Sequence, residues 1–431
     1  MKNDVTVLLL AGGKSNRFWP IADKMELSFL GLTLLERQIE FFKSVGLNNI
    51  ILVTNENLST KYQKLVKKVI IQKSLGMGAA VLSARKEIEN KQVLIVIADD
   101  IVDESVFKGI FEKIKAKTNF IIGYYTPNYF PGGYLKLNGN KIEQIIEKPE
   151  KGKEPSKFVA IFGSFFTDGS QIINSLEKLK HNHFDKIYED AISDLIFQGH
   201  KFEMVPYKDS WIALKYPWDT FKILNYFLQQ IIENKIHKSA QIHKSVSIVG
   251  PVEIEENVKV MENAKLVGPL HIGKNTIIGN NTLIRSSNIG ENCVIGFGSD
   301  ICRSYLGDNV WLHSNYIGDS IVSSNVSMGA GTTLANLRFD EAKIYSVVKN
   351  QKINTQKQKL GAIIGENSRL GVEVYTMPGI KIGKNCIVGP GVNLETDLQD
   401  GMSCFVRQKL IRKKHKNINF PQRDGFRNKI S

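Results

Sequence analysis

Gly12 and Gly13 follow directly on the apolar run 5–11, with Arg17 and Lys24 close behind. A Gly-Gly turn at the end of a strand lets backbone N–H groups come close to phosphate oxygens. Two cations at that reach suit a triphosphate. Asp99 and Asp100 close a second apolar run, 92–97. Ligands of open α/β sheets bind outside the carboxyl ends of the strands, so Asp99 is expected to share one mouth with Gly12-Gly13. The third candidate is His313, an imidazole whose charge changes near neutral pH. It stands immediately after an aliphatic residue of a repeat, as His237 and His243 do, and by that position alone it is a surface histidine.

These groups need a scaffold. Strands are expected at 5–11, 49–54, 69–72 and 92–97, with helices at 34–45, 60–68 and 78–88 between them. The alternation implies βαβ units, hence a Rossmann-like α/β domain with a mostly parallel sheet. From about residue 118 the pattern turns strand-rich, with strands at 120–125, 133–137 and 142–146. Helices follow at 188–197 and 218–233.

The second half of the chain carries a six-residue pulse. An aliphatic residue returns at Ile236, Ile242, Ile248, Ile254, Val260, Leu266, Ile272, Ile278 and Ile284. It slips by one residue to Ile289, Ile295 and Ile301, then again to Leu306, Leu312 and Ile317. After a Lys- and Asn-rich interruption up to Gln358 it resumes at Ile364. Helices ask for a period of 3.6 and strands for two. Six indicates a parallel β-helix in which three short faces close one coil and each aliphatic residue stacks on that of the coil before. Gly behind the aliphatic position permits a tight corner. The interruption, with Lys343, Lys349, Lys352, Lys357 and Lys359, is a loop thrown out of a solenoid, the usual place for binding.

With 431 residues the chain exceeds one compact domain, and 42% hydrophobic residues supply two cores. The expected divisions are 1–234, 235–405 and a basic tail, 406–431, with Arg407, Lys409, Arg412, Lys413, Lys414 and Lys416. The net charge of +14 leans partly on that tail, and no nucleic-acid motif accompanies it. No apolar run is long enough to span a membrane. The four cysteines form neither a disulfide framework nor a metal spacing, so the cytoplasm is the expected compartment.

The string Leu10-Ala11-Gly12-Gly13-x-x-x-Arg17-x-x-Pro20 resembles the signature of sugar-1-phosphate nucleotidylyltransferases. The resemblance implies nucleotide contacts at Ala11, Gly12, Gly13 and Gly76, the last within Leu75-Gly76-Met77-Gly78-Ala79-Ala80. It implies Mg²⁺ at Asp99 and sugar contacts at Glu147 and Lys148. Arg17 and Lys24 would neutralise charge during transfer from a nucleoside triphosphate, UTP being the expected one. Three positions depart from the family. Lys24 follows Arg17 at a shortened spacing. Ala213 stands where a second metal ligand is usual, leaving Asp209 or Asp219 as substitutes. Ala160 occupies the place of a sugar-holding Asn.

The hexapeptides resemble the left-handed β-helix of acyltransferases, and the handedness rests on that resemblance. His313-x-x-Tyr316-x-Gly318-Asp319, followed by Gly329-Ala330-Gly331-Thr332, Asn336 and the Ala-Asn-x-Arg-Phe-Asp run at 335–340, resembles the acetyltransferase half of the bifunctional N-acetylglucosamine-1-phosphate uridylyltransferase/glucosamine-1-phosphate acetyltransferase family, in its archaeal form. That implies acetyl-CoA as cosubstrate and His313 as general base. Tyr316 and Asn336 would lie on the sugar phosphate, and the Ala330 N–H on the developing oxyanion. It also implies a homotrimer, for which Phe297, Tyr305, Trp311 and Tyr316 offer outward surface. Two other readings stay open at this point: a nucleotidyltransferase whose β-helix serves only assembly, and a non-catalytic regulatory subunit.

Overall fold

The computed structural model describes residues 4–13, 15–179 and 187–414. Lys14, and Lys416 with the rest of the expected tail beyond 414, lie outside the described residues. The first domain is built on a nine-stranded sheet. Its first four members, Lys68–Ile71, Ile50–Thr54, Thr6–Leu10 and Val93–Ile97, pair in parallel, as the βαβ reading requires. The rest is mixed, which corrects the expectation of a mostly parallel sheet. Phe158–Phe166 lies antiparallel to both Val93–Ile97 and Asn119–Tyr125. Gly133–Asn138 and Lys141–Glu147 form an antiparallel hairpin at the far edge. A tight turn can join only antiparallel neighbours, and the two residues Gly139 and Asn140 join this hairpin.

The helix at Leu34–Ser44 starts at Thr33, whose side chain forms a capping box with Glu36. The helix expected at 60–68 is absent. Helix forms only at Glu56–Ser59, after which the buried Tyr62 is held by Glu26 and Thr33. The expected helix at 78–88 is split at Ala84 into Met77–Ser83 and Arg85–Ile88. Two helices escaped the sequence reading, Val106–Lys115 and Gly169–Lys178.

After the helix Thr220–Leu228 the chain enters the β-helix at Lys235–Ile236. Three parallel sheets of eight, nine and eight short strands wrap one apolar column. Ile236 pairs with Ile254, then Ile272, Ile289 and Leu306, so the slips in the pulse are coils one residue shorter. The pulse continues through Val322, Met328 and Leu334 before the interruption. The glycines act differently from expectation. A Cβ on Gly273 would lie 2.7 Å from the Gly290 carbonyl carbon of the next coil, so Gly is there for close stacking. The left-handed corner falls two residues later, on Asn257, Asn275, Asn292, Asn309, Asn325, Asn367 and Asn385, all with positive φ. Asn tolerates that region because its short amide bonds locally. Here neighbouring corners join in ladders, such as Asn275 Nδ2 to Asn292 Oδ1 at 3.1 Å.

The two domains share a seam. The first β-helix face presents Asn288, Tyr305 and Ile321 to the hairpin of Ser28–Phe29 and Leu32–Thr33. Tyr305 hydroxyl accepts the Ser28 N–H at 2.9 Å, and its ring lies 5.4 Å from that of Phe29. The interruption forms a second hairpin, Tyr345–Val348 with Gln351–Asn354, whose flanking Ile344 and Leu360 join the first domain's core.

Candidate functional site

Four loops converge above the carboxyl ends of the parallel strands. They enclose a cavity of about 320 Å³ lined by Ala11, Gly12, Gly13, Lys24, Gly76 and Asp99. Asp23, Gln72 and Leu75 complete much of the wall. Thr6–Leu10 and Val93–Ile97 are neighbours in register, so their ends bring Gly12 and Asp99 to one mouth, and Ala98 N–H donates to Leu10 O at 3.0 Å. A Cβ on Gly12 would meet the Gln72 side-chain oxygen at 2.3 Å, so the turn is bare where the wall closes. Lys24 forms an ion pair with Asp99 and donates to Leu214 O at 3.2 Å.

Arg17 is exposed and stands outside this lining, 5.9 Å from the centre of the Tyr216 ring. The link between it and Glu147 and Lys148, the residues expected on the sugar side, is Lys215, which the sequence reading missed. Burial pulls the Lys215 ammonium down to about 8, and Asp100, Arg17, Glu147 and Lys148 all act on its charge. Its Nζ donates to Pro131 O at 3.2 Å and lies 3.5 Å from the centre of the Phe130 ring. Glu147 pairs with Lys148 at 2.9 Å. Beside it, burial first and then the Glu147 charge hold Glu189 up at about 7. Lys215 follows the Trp-x-Ala slot by two residues, and that adjacency was the available signal.

Trp211–Ala213 pairs antiparallel with Asp100–Val102, placing Ala213 opposite Asp100. The alternative carboxylates are engaged elsewhere. Asp209 accepts from Ser105 Oγ at 2.6 Å, and Asp219 accepts the Lys215 and Tyr216 N–H groups. Asp100 is buried and accepts the Phe162 N–H at 2.7 Å, with burial and then Asp99 raising it to about 6. Phe162 adopts a positive φ in an irregular stretch of its strand that begins at Ala160.

In the β-helix, Tyr316 and Asn336 come together on the third face. Asn336 Nδ2 donates to Asp319 Oδ2 at 2.6 Å, and Arg303 holds the same carboxylate with two bonds of 2.7 Å. Beside them a cavity of about 510 Å³ is lined by Arg303, Asp319, Lys357 and Lys359 together with Phe221 and Asn225 of the first domain. His313 stands at the corner before Tyr316, exposed, its N–H donating to Asn315 Oδ1 at 2.9 Å. Ala330 is exposed at a corner of the next coil.

The nucleotidyl transferase family matches residues 6–214, and the bacterial transferase hexapeptide (six repeats) family matches 251–286 and 361–396. A bifunctional sugar-1-phosphate nucleotidylyltransferase/acetyltransferase of Sulfurisphaera tokodaii is 30% identical over 406 residues, 91% of this chain and 98% of its own. The chain belongs to this bifunctional nucleotidylyltransferase/acetyltransferase family. The bifunctional protein GlmU of Methanococcus maripaludis strain C5 is 31% identical over 435 residues, 95% of this chain and 99% of its own. Among solved structures, apo UDP-glucose pyrophosphorylase aligns with 52% of this chain and 98% of its own, at 17% identity and a TM-score of 0.46. The match to these bifunctional relatives spans both domains; the cavity of Gly12 and Asp99 lies in the nucleotidyltransferase domain and the Asp319 polar cluster on the hexapeptide domain. Among the described residues no helix is long and apolar enough to cross a membrane.

Proposed function

We propose that this chain acetylates an amino-sugar-1-phosphate with acetyl-CoA and couples the product to a nucleoside triphosphate, UTP by expectation, with release of pyrophosphate. The observation that carries the reading is the convergence of Gly12, Gly13, Lys24, Gly76 and Asp99 on one cavity. In nucleotidyl transfer a sugar-phosphate oxygen bonds to the α-phosphorus as the bond to the pyrophosphate oxygen breaks. The protein's part is positioning and charge neutralisation. The Gly12 and Gly13 amides cradle phosphate, Lys24 faces it from the opposite wall, and Lys215 and Arg17 meet the sugar phosphate. Asp99 suits Mg²⁺, a hard cation commonly held by one or two carboxylates plus substrate phosphates. The Lys24 ammonium already lies against that carboxylate, where a cation is accommodated. When bound, the ion supplies positive charge to the triphosphate. With Ala213 unable to ligate, Asp99 is its one protein ligand in this reading.

For acetyl transfer, the sugar amine bonds to the thioester carbon as the C–S bond breaks, His313 takes the proton the amine sheds, and coenzyme A leaves as a thiolate that takes up a proton to become the thiol. Tyr316 and Asn336 hold the sugar phosphate, and the Ala330 N–H faces the developing oxyanion. The exposure of His313 and of its neighbours Phe297 and Trp311 supports a homotrimer in which an adjoining copy covers this corner. The four free cysteines suit the cytoplasm, where thiols are kept reduced.

Pure protein incubated with Mg²⁺, nucleotides, glucosamine-1-phosphate or galactosamine-1-phosphate, and acetyl-CoA should yield an N-acetylated sugar phosphate and then a nucleotide sugar. Coupling of pre-acetylated sugar alone would leave the β-helix an assembly device. No product of either kind would remove the proposal.

A further inference from the structure

The outward row on the first β-helix face runs Lys235, Glu253, His271, Asn288, Tyr305. Asn288 and Tyr305 are bonded to the hairpin of the first domain. His271 is different. It is 1% exposed, yet neither ring nitrogen has a hydrogen-bond partner. A buried polar group left unpaired calls for an explanation. Its Nε2 stands 3.5 Å from Glu255 Oε1, beyond the usual hydrogen-bond length. Two ligands of one tetrahedral Zn²⁺ stand about 3.3 Å apart, given metal–ligand bonds near 2.0 Å.

Glu253 lies across the ladder from His271 and brings a third ligand atom. One atom from each of Glu253, Glu255 and His271 lies within 4.8 Å of the others. The second oxygen of Glu255 accepts the Lys274 N–H at 3.1 Å, which orients the carboxylate as outer-shell bonds do for metal ligands. Arg37, whose charge faces Glu253, is occupied by the Phe29 and Leu30 carbonyls. A cavity of about 330 Å³, lined by both glutamates, opens beside the cluster and offers a way in.

We propose that Glu253, Glu255 and His271 bind one divalent transition cation of the Zn²⁺ type, separate from any ion at Asp99. One imidazole and two carboxylates suit such an ion, whereas Mg²⁺ takes oxygen ligands. The fourth position opens to the cavity. Three ligands held by adjacent coils make the ion a staple between the coils that begin at Val252–Ile254 and Leu270–Ile272. It also lies under the interdomain hairpin, since a Cβ on Gly31 would come within 2.7 Å of Glu255 Oε1. The consequence is stability of the seam rather than turnover.

The full chain, stripped with a chelator, should take up one Zn²⁺ per chain in calorimetry and melt at a higher temperature when it does. Excess Mg²⁺ should not displace the ion. Glu253→Gln, Glu255→Gln and His271→Gln should each lose both the unit-stoichiometry heat and the rise in Tm. His237→Ala should keep both, because the exposed His237–Glu256 pair lies next to the site but outside it. If His271→Gln does not fold, the two glutamate variants decide. The proposal is overturned by the absence of a one-to-one heat, or by a heat that His237→Ala removes and the glutamate variants keep. A Tm that responds to pH between 5 and 8 but not to Zn²⁺ would also overturn it, leaving His271 a protonated partner of Glu255.

Discussion

In the proposed reading Lys24 and Lys215 divide the nucleotidyl site between them: Lys24 acts on the nucleotide phosphates and Lys215 on the sugar phosphate. If Lys24 offsets charge on the leaving pyrophosphate and Arg17 charge on the sugar phosphate, Lys24→Ala and Arg17→Ala should each lower kcat for nucleotidyl transfer by ~100-fold, as for other removed electrostatic stabilisers. Acetyl transfer should be unchanged in the same assay series. Lys215 carries a pH dependence. Burial lowers its ammonium to about 8, so it is charged below that pH and neutral above it. Nucleotidyl kcat/KM should therefore fall as pH rises through about 8, and Lys215→Met should flatten that limb while lowering the plateau. On the other domain, His313→Ala should cut acetyl-transfer kcat by roughly 10²- to 10⁴-fold, the range for a lost general base. Coupling of pre-acetylated substrate should proceed at the parent rate.

The β-helix coil places these side chains through its corners. Gly296 packs on the coil that carries His313, and a Cβ there would stand 2.2 Å from the His313 carbonyl oxygen. Backbone cannot yield as a flexible side chain would. Gly296→Ala should therefore cost about 1–3 kcal/mol of stability, the usual price of overpacking, and lower acetyl transfer by moving His313. Asn275→Ala at the left-handed corner should cost about 1 kcal/mol without touching either activity, and Asn275→Gly less. Midpoints of urea unfolding with matched activity assays separate the two effects.

At the scale of the molecule, the surface left for assembly is smaller than the outward aromatics suggested. Tyr305, counted among them from sequence, is 3% exposed and bonded across the domain seam, whereas Phe297 and Trp311 are 63% and 60% exposed. A trimer built on residues 236–405 should use the latter pair. Light scattering should give three chains per particle for the parent protein and a smaller particle for Trp311→Glu. That variant should lose acetyl transfer and retain nucleotidyl transfer.

The hexapeptide period determined the β-helix by itself, because an inward aliphatic stack with bare glycine contacts admits few other periods. The Gly-Gly turn and Asp99 were legible for a similar reason: strand ends in a parallel sheet share one mouth, and Thr6–Leu10 and Val93–Ile97 are neighbours. Only the tertiary structure decided the remainder. It turned half the sheet antiparallel, through Phe158–Phe166, a strand with no local signal of direction. It put the positive φ on Asn275 rather than Gly273, since the glycine is set by the next coil and not by its own turn. Lys215, which the electrostatics tie to both Arg17 and Glu147, and His271, buried without a hydrogen-bond partner, draw their roles from residues far away in the chain. Burial and charge at such positions are properties of the packed neighbours, which no stretch of sequence contains.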